Sequence, residues 1–138
     1  MAGGKTDWFE NLMLDYYIGK ANASTAPTTL YLSLWNSTLN DGLNSATTGE
    51  CAGANYNRVA ITNSSGFWTN AASGSKQNKT VIVFTTNAST GWGTIKAAAL
   101  GDSTAGGNYY YWGDIAPQTI SPGNTVQFST GTIIISED

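Results

Sequence analysis

From Asp7 to Gly19 the apolar residues recur four apart, with Trp8, Leu12 and Tyr16 in one row and Phe9, Met13 and Tyr17 in the next. Residues at that spacing share one face of an α-helix, so the pattern predicts a helix over about residues 7–19. Asp7 is placed to cap it, Glu10 stands three residues on as in a capping box, and Gly19 is a natural stop. The two rows merge into a broad aromatic face, which either packs inside its own domain or docks on a neighbour.

Beyond a loop at residues 21–27 the period changes to two. From Thr28 to Trp35, Leu30, Leu32 and Leu34 share one face, and Tyr31, Ser33 and Trp35 the other. Residues 36–54 are polar and contain Asp41-Gly42, which predicts a long loop, functional or mobile. Strand patterns resume at Tyr56–Thr62, with Arg58 out of phase with Val59 and Ile61, and Phe67-Trp68 follows a turn. The run Thr80–Thr85 is apolar enough for a central strand. Gly93–Leu100, Asn108–Trp112, Val126–Phe128 and Ile133–Ile135 complete the series. Strands this frequent, with turn residues between them, predict one all-β domain over residues 1–138: an antiparallel β-sandwich or jelly-roll-like barrel with one short N-terminal α-helix.

Composition agrees. Charged residues make up only 11% of the 138 residues, against roughly a quarter in ordinary domains. Thr, Ser and Asn fill their place at roughly a third of the chain. Thr suits pleated surfaces, and Asn and Ser suit turns. A surface so poor in charge also docks on protein with few ions to desolvate. Net charge is −3, and the six basic residues (Lys5, Lys20, Arg58, Lys76, Lys79 and Lys96) are scattered, which argues against a nucleic-acid partner. No apolar run is long enough to span a bilayer, and the N-terminus lacks the apolar core of a signal peptide. The expectation is a chain made in the cytoplasm, with no membrane partner and with Cys51 as a small buried or semi-exposed residue and not a reactive thiol.

The residues for chemistry are sparse. There is no histidine, which removes the commonest general base, the Ser-His and Cys-His arrangements and most zinc sites. No phosphate-cradling loop or twelve-residue calcium loop is present. Only a carboxylate pair is left, and Asp102 and Asp114 follow two strands that could face each other across a hairpin. The plainer reading makes both of them turn residues. The expectation is therefore no catalytic residue, no metal and no cofactor. Five Asn-X-Ser/Thr sequons, at Asn22, Asn36, Asn63, Asn78 and Asn87, are what this composition produces by chance. Trp35, Trp68, Trp92 and Tyr109–Trp112 are of the kind that stacks on sugar rings, but a β-domain core needs such rings anyway.

Two blocks carry a resemblance. The first half has Ile18-Gly19-Lys20, Ala26-Pro27-Thr28-Thr29-Leu30-Tyr31-Leu32-Ser33-Leu34 and Asn55-Tyr56-Asn57-Arg58-Val59-Ala60-Ile61. The second has Gly91-Trp92-Gly93-Thr94-Ile95, Ala98-Ala99-Leu100-Gly101-Asp102, Gly106-Gly107-Asn108-Tyr109-Tyr110-Tyr111-Trp112-Gly113, Ile120-Ser121-Pro122-Gly123-Asn124-Thr125-Val126-Gln127-Phe128 and Gly131-Thr132-Ile133-Ile134-Ile135. Over nearly its whole length the chain resembles a family of small tailed-phage structural proteins, often labelled tail-fibre-like. The resemblance implies a non-enzymatic virion component. Within that class it favours a capsid decoration or cement protein, a homo-oligomer with a trimer favoured, bound to the major capsid protein or other virion proteins. The alternative is a short tail, adaptor or receptor-binding subunit. The candidate interface residues are Trp8, Phe9, Leu12, Met13, Tyr16, Tyr17, Tyr109 and Tyr111.

Overall fold

The computed structural model describes residues 2–19, 25–85 and 90–137. In chain order the elements are β1 (Ala2–Lys5), α1 (Asp7–Tyr17), β2 (Thr29–Trp35), β3 (Val59–Thr62), β4 (Ser75–Gln77), β5 (Ile82–Thr85), β6 (Gly93–Gly101), β7 (Tyr109–Ile120), β8 (Thr125–Phe128) and β9 (Ile134–Ser136). Five strands form one antiparallel sheet in the order β1-β7-β6-β2-β3. Two antiparallel ladders, β4-β9 and β5-β8, lie against one face of it. The fold is thus all-β with one short N-terminal helix, as the pattern predicts.

The alternation in β2 builds the core. Leu30, Leu32 and Leu34 pack with Ile61, Ile95, Ala98 and Leu100 of the same sheet, and with Ile82, Phe84, Trp68 and Ile133 from the covering side. The opposite phase is buried as well. Trp35, Ala97, Ala99 and Tyr109 form a second cluster, and the loop after β2 folds over it with Leu39 and Leu43. The residues expected to form a long polar loop do so, and they close the second face of the sheet.

Arg58 holds that closure. Its Nε and Nη2 form a fork on the two Glu50 carboxylate oxygens, both at 2.7 Å. Nη1 donates to the carbonyls of Ser103 and Gly106 at 2.7 and 2.9 Å, and Nη2 also donates to the Tyr109 hydroxyl at 2.6 Å. All five guanidinium donors are used. Tyr56 extends the network, donating to Glu50 and accepting from the Leu34 amide. Burial pulls the Arg58 pKa down, and Glu50 more than restores it, so the guanidinium stays above its ordinary value.

Several expectations need correction. The helix cap is Thr6, not Asp7: its side chain accepts from the Phe9 amide at 3.3 Å. The helix proper ends at Tyr17, short of Gly19. Residues 82–85 do not form a central strand. They alternate buried and exposed and pair only with β8, leaving Val81 and Val83 at the surface. Asp102 and Asp114 do not face each other. Asp114 stands opposite Ala97, five residues from Asp102, or about 16 Å along a strand. Asp102 closes its turn by accepting from both nitrogens of Asn108, and Asp114 accepts from the Leu39 amide. Three of the sequon asparagines brace backbone: Asn36 donates to the carbonyls of Trp92 and Thr94, Asn63 to that of Pro27, and Asn78 to those of Thr80 and Ser129. Asn22 and Asn87 lie outside the described residues. Cys51 is buried beside the Trp92 carbonyl, and burial raises its thiol pKa.

Candidate docking face

α1 is fastened firmly at one end. The Thr6 hydroxyl donates to the Tyr109 carbonyl, the Thr6 amide to the Tyr110 carbonyl at 3.0 Å, and the Asp7 amide to the Asp41 carbonyl at 2.9 Å. Tyr110 then wedges under the first turns, edge-on to Trp8 and Phe9 at ring separations of 5.3 and 5.0 Å, while Phe9 also meets Tyr111. Past that wedge the helix stands off the body. No residue of α1 is buried, and Leu14 and Tyr17 are 60% and 66% exposed, with Ile18 just beyond the helix at 80%.

The space under the helix is an apolar groove of about 400 Å³. Phe9, Leu12, Met13 and Tyr16 line it from α1, and Leu30, Trp68, Leu100, Tyr110 and Ile135 line it from the body. Lys76 is the one charged residue among those lining it. Of the sequence candidates, the helix residues Phe9, Leu12, Met13, Tyr16 and Tyr17 come together here with Tyr111, and Trp8 lies at the edge on Tyr110. Tyr109 does not belong with them. It is 2% exposed, on the far face of the sheet against Trp35 and Arg58. The cause is a bulge: Leu100 pairs with Tyr111 and Gly101 with Tyr109, so Tyr110 is an extra residue and its neighbours point to opposite faces. The body wall, with Lys76, Trp68 and Pro27, has no sequence signal of its own, because it is assembled from separate loops and strands.

One rim of the groove is closed by a three-residue contact. The Tyr111 hydroxyl and the Lys5 ammonium both donate to the Glu137 carboxylate, joining β7, β1 and the C-terminal segment. Burial pushes the Glu137 pKa up, but Lys5 and Tyr111 outweigh it and hold the carboxyl below its ordinary value.

Four tyrosines, one buried and three half-buried, give a pH dependence. Burial above all raises the pKa of Tyr56, Tyr109, Tyr110 and Tyr111, and Glu137 adds to the effect on Tyr111. In the unfolded chain these phenols ionise near pH 10. Between that pH and their higher folded values, the folded state holds more protons, so stability falls as pH rises. Urea unfolding at pH 8, 10 and 11 is expected to show a midpoint that begins to decline above about pH 8.5, where the buried Cys51 thiol contributes, and falls more steeply above about pH 10, where the tyrosines do. Tyr56→Phe is expected to make the decline shallower, and an unchanged slope in that variant would remove Tyr56 from the effect.

Among the described residues, no group of three or more His, Cys, Asp or Glu side chains is placed to hold a metal ion, and no helix is long and apolar enough to cross a membrane. A search of curated proteins finds no match. A protein-family model does match, over residues 4–136, and it describes the podophage GP4 fiber I protein gp80. That span takes in the helix and every strand except the first two residues of β1, so the chain belongs to the Gp80 family of phage fibre-type structural proteins.

Proposed function

We propose that the chain is a fibre-type subunit of a phage particle, working through docking and not through chemistry of its own. The observation that carries this reading is the family match over nearly the whole chain to a fibre protein. The geometry supports it: an aromatic helix, tethered at its N-terminus and unburied along its length, lies over an apolar groove. Isolated surface leucines need no explanation, but a continuous face of this kind does. The two carboxylates that offered a hydrolytic route are committed to a turn and to a backbone amide.

In this reading the subunit joins other virion proteins through the α1 face, and copies of it form a trimer. The fibre role is preferred to a decoration role on the head shell because the family is described as a fibre protein. Epitope-tagged particles imaged by electron microscopy test the choice. Label on the tail at a few tens of copies or fewer is the expected result. Label spread over the shell in hundreds of copies would replace the fibre with a decoration protein.

A further inference from the structure

Lys76 is the one charged residue lining the mostly apolar groove under α1, and the sheet register fixes where it stands. Lys76 is the Cα partner of Ile135 across β4-β9, so the two sit side by side, and both line the groove. The ion pairs among the described residues are Lys5–Glu137 and Arg58–Glu50; neither involves Lys76. A neutral carbonyl can accept from the ammonium in place of water, but a carboxylate forms a charge-assisted hydrogen bond that is roughly twice as strong. A space of about 400 Å³ takes a few side chains and not a whole helix.

We propose that this groove receives a short segment of a different polypeptide, carrying two or three apolar side chains and one carboxylate that meets Lys76. This rests on the reading of the chain as an assembly subunit. A second copy is a poor occupant: its α1 is a whole helix, which a space of this size does not take, and its acidic C-terminal strand is paired with β4 and anchored by buried Ile133.

The test is an NMR titration of the isotope-labelled full chain with acetyl-Leu-Phe-Glu-Leu-amide and with the same peptide carrying Gln for Glu. Saturable shifts at Met13, Lys76 and Tyr110 are expected, with the Glu peptide about 3–10-fold tighter. Lys76→Gln should abolish that preference, and Met13→Trp, which fills the groove, should weaken both peptides. Absence of saturable shifts at these residues, equal affinity for the two peptides, or a preference that survives Lys76→Gln would each overturn the proposal. So would unchanged binding to Met13→Trp. Sedimentation that shows a dimer protecting the groove amides would overturn it in favour of a second copy. Location on the particle is measured separately, so a fibre-located chain with an indifferent groove would sink this inference and leave the fibre reading standing.

Discussion

Arg58→Met is expected to cost about 3–5 kcal/mol of folding stability, measured by urea unfolding at pH 7. The side chain is 2% exposed and spends all five donors inside the protein. Removing it leaves the Glu50 carboxylate without a counter-charge and the carbonyls of Ser103 and Gly106 without a donor, and such losses exceed the net value of the intact pair. Arg58→Lys should recover little, because a single ammonium cannot form the fork on Glu50 while reaching two carbonyls and a hydroxyl. Adding Glu50→Met to Arg58→Met should return part of the loss, since the stranded charge is gone but the carbonyls are still bare. A cost for Arg58→Met below about 1 kcal/mol would mean that the network is a surface ion pair in energetic terms.

That network also shows how far the residue pattern can be read. The helix and strands β2, β6 and β8 are legible because each displays an apolar pattern along its sequence. β1 is not legible, because Ala2-Gly3-Gly4-Lys5 shows almost no side chain. Gly3 is nonetheless required, since a Cβ there would stand 1.9 Å from the Trp112 carbonyl oxygen. β4, as Ser-Lys-Gln, carries no apolar period for a pattern to display. Arg58 is visible in sequence only as a residue out of phase, and its partners lie 8 to 51 positions away. The docking face divides the same way. Its helix wall follows from four-residue spacing, whereas Lys76 enters through the pairing of β4 with β9, a contact between segments about sixty residues apart. Tyr109 fails as an interface residue for a local reason, since strict alternation assigns it the same face as Tyr111 and one bulged residue reverses that.

Asn78 carries the second large effect, at a position the sequence marks only as a sequon. It is fully buried, its amide nitrogen donates to the carbonyls of Thr80 and Ser129 at 2.9 and 3.0 Å, and its oxygen accepts from the Ile133 amide at 2.9 Å. One side chain thereby ties the β4-to-β5 connection to the segment that leads into β9. Asn78→Ala strands the Ile133 amide and takes a donor from the Thr80 carbonyl, while the Ser129 carbonyl keeps the Thr132 amide and hydroxyl, for a cost of about 2–3 kcal/mol. Asn78→Asp is the sharper experiment. It keeps the acceptor for Ile133 but sets carboxylate oxygen against two carbonyls, so its ionised form is disfavoured in the fold and its folded pKa rises above the unfolded value of about 3.9. A raised folded pKa means stability that is present at low pH and lost as pH rises. The deficit of Asn78→Asp relative to the parent chain should therefore be smaller at pH 4 than at pH 7, while that of Asn78→Ala stays constant. Equal deficits for Asn78→Asp at the two pH values would show that the side chain had swung out to solvent, and that the two segments are held together by something other than this amide.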